Sequence, residues 1–484
     1  MATRRATIVG LLALPLAAST ASLVWAQPVP VVRRRVGTLA TDANLRTLVR
    51  GIRIMKGQDS EHPVSREIAA QRGNHPFSWL TQMRIHSGNW GQHGSWRFLP
   101  WHRAQLRLFE QTIGYLTGTP AFALPYWDPR EHRYLPIDLF NESSPLFWPD
   151  RNWESRHLPP EFLEPGSRLF SRDRNWGIRQ LNFLGAIEEV TPELRNRGRY
   201  FAALADGNVK RFMGSTSGPG DVEYTTHNLI HELIGGRMGM PWTATLDPLF
   251  WLHHANVDRV WASWQSAHAA SASEAYPSAL VQEELRGFQQ NRPILAADVL
   301  SIQDLGYIYD RQYTLPEFAP LGDLAGWEIE SKLEPRLLAS DNTASAELGK
   351  PAHIRFEIPA ELRPLVSPAS KTIVKSAELA LSIDRKSFAQ FSVRISLRSS
   401  SGPDSPSICR LISPFGFDNH HAGGSAGMSF HILITAQLAA ILEQGNGVDV
   451  IVEAVPRANG VVLPAEVRVL SASIEILSYK LRRT

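Results

Sequence analysis

The sequence predicts a mainly α-helical domain over residues 27–310, followed by an antiparallel β-sandwich over residues 346–484. Three observations carry this. Up to about residue 310, apolar residues recur at helical spacing. From about residue 346 they alternate with polar ones, as in half-buried strands. Between the two, residues 311–345 hold Pro316, Pro320, Gly322 and Pro335 with little periodicity, and read as a linker. The chain has 484 residues, 43% of them hydrophobic and 20% charged, enough for more than one domain.

Each element has its own signal. Asp42 opens a segment in which Leu45, Leu48, Val49 and Ile52 share a face. Phe77, Leu80, Met83 and His86 lie roughly on one helical face. After Pro100, His102, Leu106, Phe109 and Ile113 form another face, and Gly118 is a suitable stop. Asp247 suits an N-cap, with Pro248 as first helical residue. Residues 128–222 are rich in Pro, Arg, Trp and Asn and read as long surface loops with short helices. Strand alternation appears at Ile354, Phe356 and Ile358, at Phe391, Val393, Ile395 and Leu397, and at Val448, Val450 and Val452. Val467, Val469, Ile474 and Ile476 continue it.

The first 26 residues read as a cleaved export signal. Arg4 and Arg5 precede an apolar stretch from Ile8 to Ala21, and Val24-Trp25-Ala26 offers a cleavage site. The paired arginines suggest the twin-arginine route, to the periplasm or outside. The apolar run is too short for a membrane anchor and is interrupted by Pro15, and no later segment is apolar enough to span. The net charge is +3 and no basic block suggests a nucleic-acid groove. The densest basic run, Arg33-Arg34-Arg35, reads as a solvated segment or a partner for buried acids.

Cys409 is the single cysteine, so no intramolecular disulfide, Cys-rich zinc module or iron–sulfur cluster is expected. Any metal must rest on His, Asp and Glu. The 16 histidines are unevenly placed. His75, His86, His93 and His102 form one group, the last within Phe98-Leu99-Pro100-Trp101-His102-Arg103. His227 and His231 are one helical turn apart, in His-Asn-Leu-Ile-His. His253 and His254 follow, in a run from Asp247 to Arg259. Phe98 and Phe250 stand one turn before His102 and His254, and a dry wall around imidazoles suits a redox metal. Imidazole suits copper, zinc, iron and nickel. The His-Glu-x-x-His motif of zinc proteases is absent, since Glu232 follows a histidine pair instead of dividing it. Two triads suggest two metals.

Phe98 to Arg103 and Asp247 to Trp261 resemble the two signature motifs of tyrosinases and polyphenol oxidases. Leu305-Gly306-Tyr307-Ile308-Tyr309 resembles the tyrosine motif that closes the catalytic domain of plant-type members, and a linker and β domain follow as in that group. The resemblance implies a four-helix bundle around two type-3 copper ions, with O2 as co-substrate. It places His86, His93 and His102 at one copper, with His75 as fallback for His86, and His227, His231 and His254 at the other. His253 resembles the histidine that supports the last ligand, and Asn256 and Asp258 are expected to orient ligands by hydrogen bonds. Many members link a cysteine to the middle ligand of the first copper. None lies near His93, so no thioether is expected and His93 should be more mobile.

The activity implied is hydroxylation of monophenols to ortho-diphenols and oxidation of these to ortho-quinones. Glu223 and Asn228 are the candidate catalytic residues, sharing a water that takes the phenol proton. Glu232 is expected near the entrance, where it would favour ammonium-bearing phenols. Three other functions use the same site: catechol oxidase, ortho-aminophenol oxidase and a haemocyanin-like O2 carrier. The β domain is either a cover over the copper cleft or a structural or oligomerisation module. His420-His421 reads as a surface pair, and His62, His132, His157, His268 and His353 as ordinary residues.

Overall fold

The computed structural model describes residues 30–88, 91–129, 137–139, 143–148, 209–216, 218–234, 236–268, 276–288, 293–313, 327–332, 336–339, 344–358, 373–384, 391–400, 407–412, 427–434, 438, 441–442, 445, 447–456 and 466–483. The export signal, most of the loop-rich stretch after 128, His132, His157 and His420-His421 lie outside them.

The helical part contains α1 (Ala43–Met55), α2 (Pro63–Ala70), α3 (Trp79–Ser87), α4 (Phe98–Thr117), α5 (Val209–Met213), α6 (Asn228–Ile234), α7 (Leu249–Ala267) and α8 (Ser278–Val281). Asp42 caps α1 by accepting from the Leu45 amide at 3.1 Å. Gly51 lets α1 approach α4 closely, because a Cβ there would stand 2.4 Å from Ile113 Cδ1. Helix α4 begins at Phe98, so Pro100 falls inside its first turn, where no amide hydrogen is needed. Gly118 ends it in the left-handed conformation, φ 66°. Asp247 Oδ1 accepts from the Leu249 amide at 2.9 Å, and α7 starts one residue beyond Pro248. From Leu249 to Trp264 every side chain of α7 is buried, as for a helix enclosed on all sides. Helix α3 turns differently from the expected face. Trp79, Gln82 and His86 are buried, whereas Leu80 is exposed and Phe77 precedes the helix.

Strands β1 (Val31–Arg33) and β2 (Tyr307–Tyr309) pair in parallel and join the two ends of this part. Arg33 is a partner for buried acids, one of its two expected roles. It donates to Glu110 at 3.0 and 3.1 Å and to Asp258 at 3.0 Å. Asp258 also accepts from Arg103, from Tyr307 at 2.7 Å and from Tyr309 at 2.6 Å. Burial alone would raise the Asp258 pKa, but Arg103 and Arg33 outweigh it and hold the carboxyl below its ordinary value.

Among the described residues the C-terminal part has ten strands, β3 (Trp327–Lys332), β4 (Arg336–Ala339), β5 (Ala344–Glu347), β6 (Ala352–Glu357), β7 (Ile373–Asp384), β8 (Phe391–Ser399), β9 (Ser407–Ile412), β10 (Gly427–Leu433), β11 (Gly447–Pro456) and β12 (Glu466–Arg483). One antiparallel sheet runs β10-β7-β12-β3, with β4 and β5 also on β12; the other runs β6-β11-β8-β9. A single apolar core gathers side chains from both, including Ile354, Leu381, Ile395, Val450 and Ile474. The buried residues of β12 change from odd (Val467, Val469) to even positions (Ala472, Ile474, Ile476), because a register shift between Val469 and Ser471 inserts an unpaired residue. Strands β3 and β4 fall inside the segment read as linker; both are short and pair only with the distant β12, which leaves no local period to read. Strand β9 has Cα atoms within 8 Å of residues Val222–His227 and of α6. Among the described residues no helix is long and apolar enough to cross a membrane.

Candidate metal centre

Six buried imidazoles meet between these helices. His86 comes from α3, His102 from α4, His231 from α6 and His254 from α7. His227 ends a π-helical turn, Val222–His227, in which the Asn228 amide donates to the Glu223 carbonyl. Such turns concentrate at functional sites. His93 stands in the loop between α3 and α4, on no helix.

The hydrogen bonds of the rings decide what they can hold. His86 Nδ1 lies 2.7 Å from the Pro241 carbonyl, and His102 Nδ1 lies 2.8 Å from the Phe98 carbonyl. A carbonyl only accepts, so both Nδ1 atoms carry the proton and both Nε2 atoms present bare lone pairs. Those two Nε2 atoms are 3.3 Å apart. Burial pushes the His86 pKa down to about 4, and burial together with neighbouring imidazoles puts His102 well below its ordinary value. A shared proton is therefore not available at neutral pH, and a metal cation relieves the repulsion. Nitrogens bound at about 2.0–2.1 Å around one tetrahedral ion stand about 3.3 Å apart. His93 completes this triad, with ligand atoms of all three within 4.8 Å.

The second triad follows the same rule. His231 Nδ1 faces the Met238 carbonyl at 2.7 Å, and His227 Nδ1 faces Asn228 Oδ1 at 2.7 Å. His254 Nε2 lies 3.2 Å from His227 Nε2 and 3.1 Å from His231 Nε2. His253 also brings a ring nitrogen within 4.8 Å of those of His227 and His231. His254 Nε2 stands closer to both rings than that limit, and His253 stacks behind His227 at 5.6 Å and 10°. The triads face each other through stacked rings, His102 on His254 at 4.4 Å and His93 near His227 at 5.9 Å. Phe98 and Phe250 pack against rings of both triads. Phe98 lies 4.8 Å from His102 and 4.4 Å from His227; Phe250 lies 4.0 Å from His254 and 5.1 Å from His86.

Glu223 is buried beside this site. Its Oε1 accepts from the Gly94 amide at 2.6 Å, the Ser95 amide also bonds the carboxylate, and Oε2 has no protein hydrogen bond. Burial raises its pKa well above the ordinary value against the pull of those amides. Asn228 Oδ1 is engaged by His227.

Asn256 and Asp258, expected to orient ligands, bond other groups. Asn256 accepts from Arg259 of the same helix at 3.0 Å, and Asp258 ties α7 to Arg33, Arg103, Tyr307 and Tyr309; among the described residues neither is hydrogen-bonded to an imidazole. Asn256, two residues after His254, faces away from it on the helix, whereas Asp258, one turn on, shares its face but is taken up by the two arginines and two tyrosines. His75 pairs with Glu67 at 3.6 Å and takes no part in the triad. The backbone of Glu232 is on α6, but its side chain lies outside the described residues. The Met238 and Pro241 carbonyls were not foreseen. One loop supplies an acceptor to a ligand of each triad, and backbone acceptors leave no mark in residue types.

Residues 74–267 match the family model described as the common central domain of tyrosinase. A tyrosinase from Hahella sp. (strain CCB-MM4) is 32% identical over 251 residues, 50% of this chain and 52% of that one. A chloroplastic polyphenol oxidase of Spinacia oleracea is 32% identical over 186 residues, 36% of this chain and 29% of that one. The chain thus spans about half, or less, of the length of these curated relatives. Among solved structures, latent apple tyrosinase superposes with TM-score 0.58 at 19% identity, covering 93% of this chain and 98% of that one. A tyrosinase from Burkholderia thailandensis gives TM-score 0.54 at 18% identity, covering 88% and 94%. At such identities the likeness is one of fold. Two all-histidine triads in a domain of this kind fit a dinuclear copper site. Residues 74–267 of this chain are thus a common central domain of the tyrosinase kind.

Proposed function

We propose that this protein is a copper-dependent phenol oxidase that uses O2, acting on ortho-diphenols to give ortho-quinones and on monophenols to give ortho-diphenols. The observation that carries the reading is the pair of bare Nε2 lone pairs of His86 and His102, 3.3 Å apart in a dry site, with a second triad facing them. The first copper would be held by His86, His93 and His102, and the second by His227, His231 and His254. Copper held by these residues would supply the two-electron redox chemistry that couples O2 reduction to phenol oxidation.

The chain's own residues do the rest. Carbonyls of Pro241, Phe98 and Met238 fix the tautomer of His86, His102 and His231, so that their lone pairs face the metals. Phe98 and Phe250 exclude water and give the substrate ring an apolar wall. A phenol with an ordinary pKa of about 10 must lose its proton. Glu223 Oε2, buried and free of protein hydrogen bonds, is suited to hold the water that takes it, with Asn228 beside it. Glu232, directly after His231, is proposed to favour an ammonium-bearing phenol over one carrying a carboxylate.

Four helices, α3, α4, α6 and α7, are read as the bundle around the site, and the two sheets with their common core as a sandwich. The C-terminal part is read as a cover, because β9 runs beside the turn and helix that carry His227 and His231. Export by the twin-arginine route rests on residues 1–26 alone. The test of function is metal analysis together with O2 uptake on one monophenol and one diphenol. Turnover of both, at two coppers per chain, is expected. Turnover of the diphenol alone makes the protein a catechol oxidase, and reversible O2 binding without turnover makes it a carrier.

A further inference from the structure

We propose that Glu223 is a positioning residue for His93: its carboxylate clasps the amide that follows His93 and ties the loop-borne ligand of one triad to the turn that carries His227 of the other. The inference rests on the reading of His93 as a metal ligand. Five of the six triad imidazoles stand on helical turns that fix their Cα atoms, whereas His93 lies on a loop between α3 and α4. Gly91 and Gly94 both have positive φ, 71° and 72°, so the loop reverses direction on either side of His93. A segment of that kind does not hold a ring in place by itself. The single cysteine, Cys409, is on β9 and not in this segment, so no covalent tie within the loop is open to it.

Among the described residues, two polar fastenings of this loop come from one neighbouring stretch of chain, residues 215–223. Glu223 Oε1 accepts from the Gly94 amide at 2.6 Å, and the Ser215 carbonyl accepts from the Trp96 amide at 3.0 Å. On the other side, Gln92 Nε2 donates to the His86 carbonyl at 2.6 Å. The clasp at Glu223 is the nearest of these on the chain's route onward from His93, and it is buried, with Glu223 1% exposed. It also crosses between the triads, so the ring of His93 is held parallel to His227 within 20°. The expectation of a mobile His93 is thereby replaced by one of a ligand held through a side-chain bond.

The experiment compares the full-length wild type with Glu223→Gln and Glu223→Ala. Copper(I) affinity is read by competition with a chromophoric chelator without O2, and amide hydrogen exchange is read over residues 91–97 in the metal-free protein. Gln keeps an oxygen that accepts from the Gly94 amide, whereas Ala removes it. Expected are wild-type exchange and copper(I) binding within about threefold in Glu223→Gln. In Glu223→Ala, exchange should be faster, and one of the two coppers should be held about 10–100-fold more weakly, the usual effect of losing a ligand's support. Should Glu223→Ala not fold, Glu223→Asp, one methylene shorter, takes its place with the same expectation. Wild-type exchange and affinity in the Ala and Asp variants overturn the clasp, as does a Gln variant that loosens as much as Ala. A wild type that binds no copper overturns the metal reading instead, while the exchange data still test the clasp.

Discussion

Asn228→Ala tests the idea that hydrogen bonds behind the rings set metal affinity. In the wild type, Asn228 Oδ1 lies 2.7 Å from His227 Nδ1, and both residues are fully buried. Alanine removes the side-chain acceptor of that buried ring nitrogen. A buried donor left unsatisfied costs about 1–3 kcal/mol. Loss of a group that orients a ligand weakens a metal by about 10–100-fold, which is about 1.4–2.8 kcal/mol. The two estimates agree, so the second triad should bind copper(I) some 10–100-fold more weakly while the first is unchanged. Chelator competition, followed to two equivalents per chain, should resolve a weakened step beside an unchanged one. Asn228→Asp, which offers a stronger acceptor, should restore affinity. Two wild-type steps in Asn228→Ala would refute the reasoning, and equal weakening of both would mean general damage to the fold.

Asp258→Asn should destabilise the helical part by about 3–5 kcal/mol, because it leaves Arg33 and Arg103 short of a buried counter-charge; urea unfolding followed by tryptophan fluorescence measures it, and a change under 1 kcal/mol would contradict the role assigned to this hub. The pH dependence has a definite sign. His86 titrates near 4 in the folded metal-free protein against an ordinary 6.5, so the unfolded chain binds more protons between those values. Stability is fully present above about pH 6.5 and falls as pH drops towards 4, by up to about 3 kcal/mol for this group, and thermal unfolding of metal-free protein at stepped pH should show it. A cut between residues 314 and 326, before β3, should raise phenol turnover by uncovering the site; a truncated protein that is folded and copper-loaded but no faster removes the cover from the account.

Much of the centre could be read from residue types, and what could not has a physical reason. His227 and His231 stand out by their spacing of one helical turn, and His102 and His254 by the specific motifs around them. The face of α3 was harder. Leu80 and Met83 match a helical period as well as Trp79 and Gln82 do, and only packing against Leu246 and Trp251 selects the second set. The supporting atoms behind His86 and His231 are main-chain carbonyls, which any residue provides. Glu223 was visible as an acid near His227, but its bond to Gly94 spans 129 residues and has no local sign. Asp258 stood out as a conspicuous acid one turn after His254, yet its partners Arg33 and Tyr307 come from the two ends of the domain. The strands of the C-terminal part were legible where alternation was strong, as at Val448, Val450 and Val452, and lost where short strands such as β4 lean on a distant partner.

The central claim is that two triads of neutral imidazoles each hold a copper ion. The most direct measurement is anomalous diffraction at the copper edge from crystals of copper-loaded protein. Two peaks are predicted, one bounded by His86, His93 and His102 and the other by His227, His231 and His254. A single peak, a peak bounded by His253 in place of His254, or no copper where metal-free protein has been offered two equivalents would contradict it.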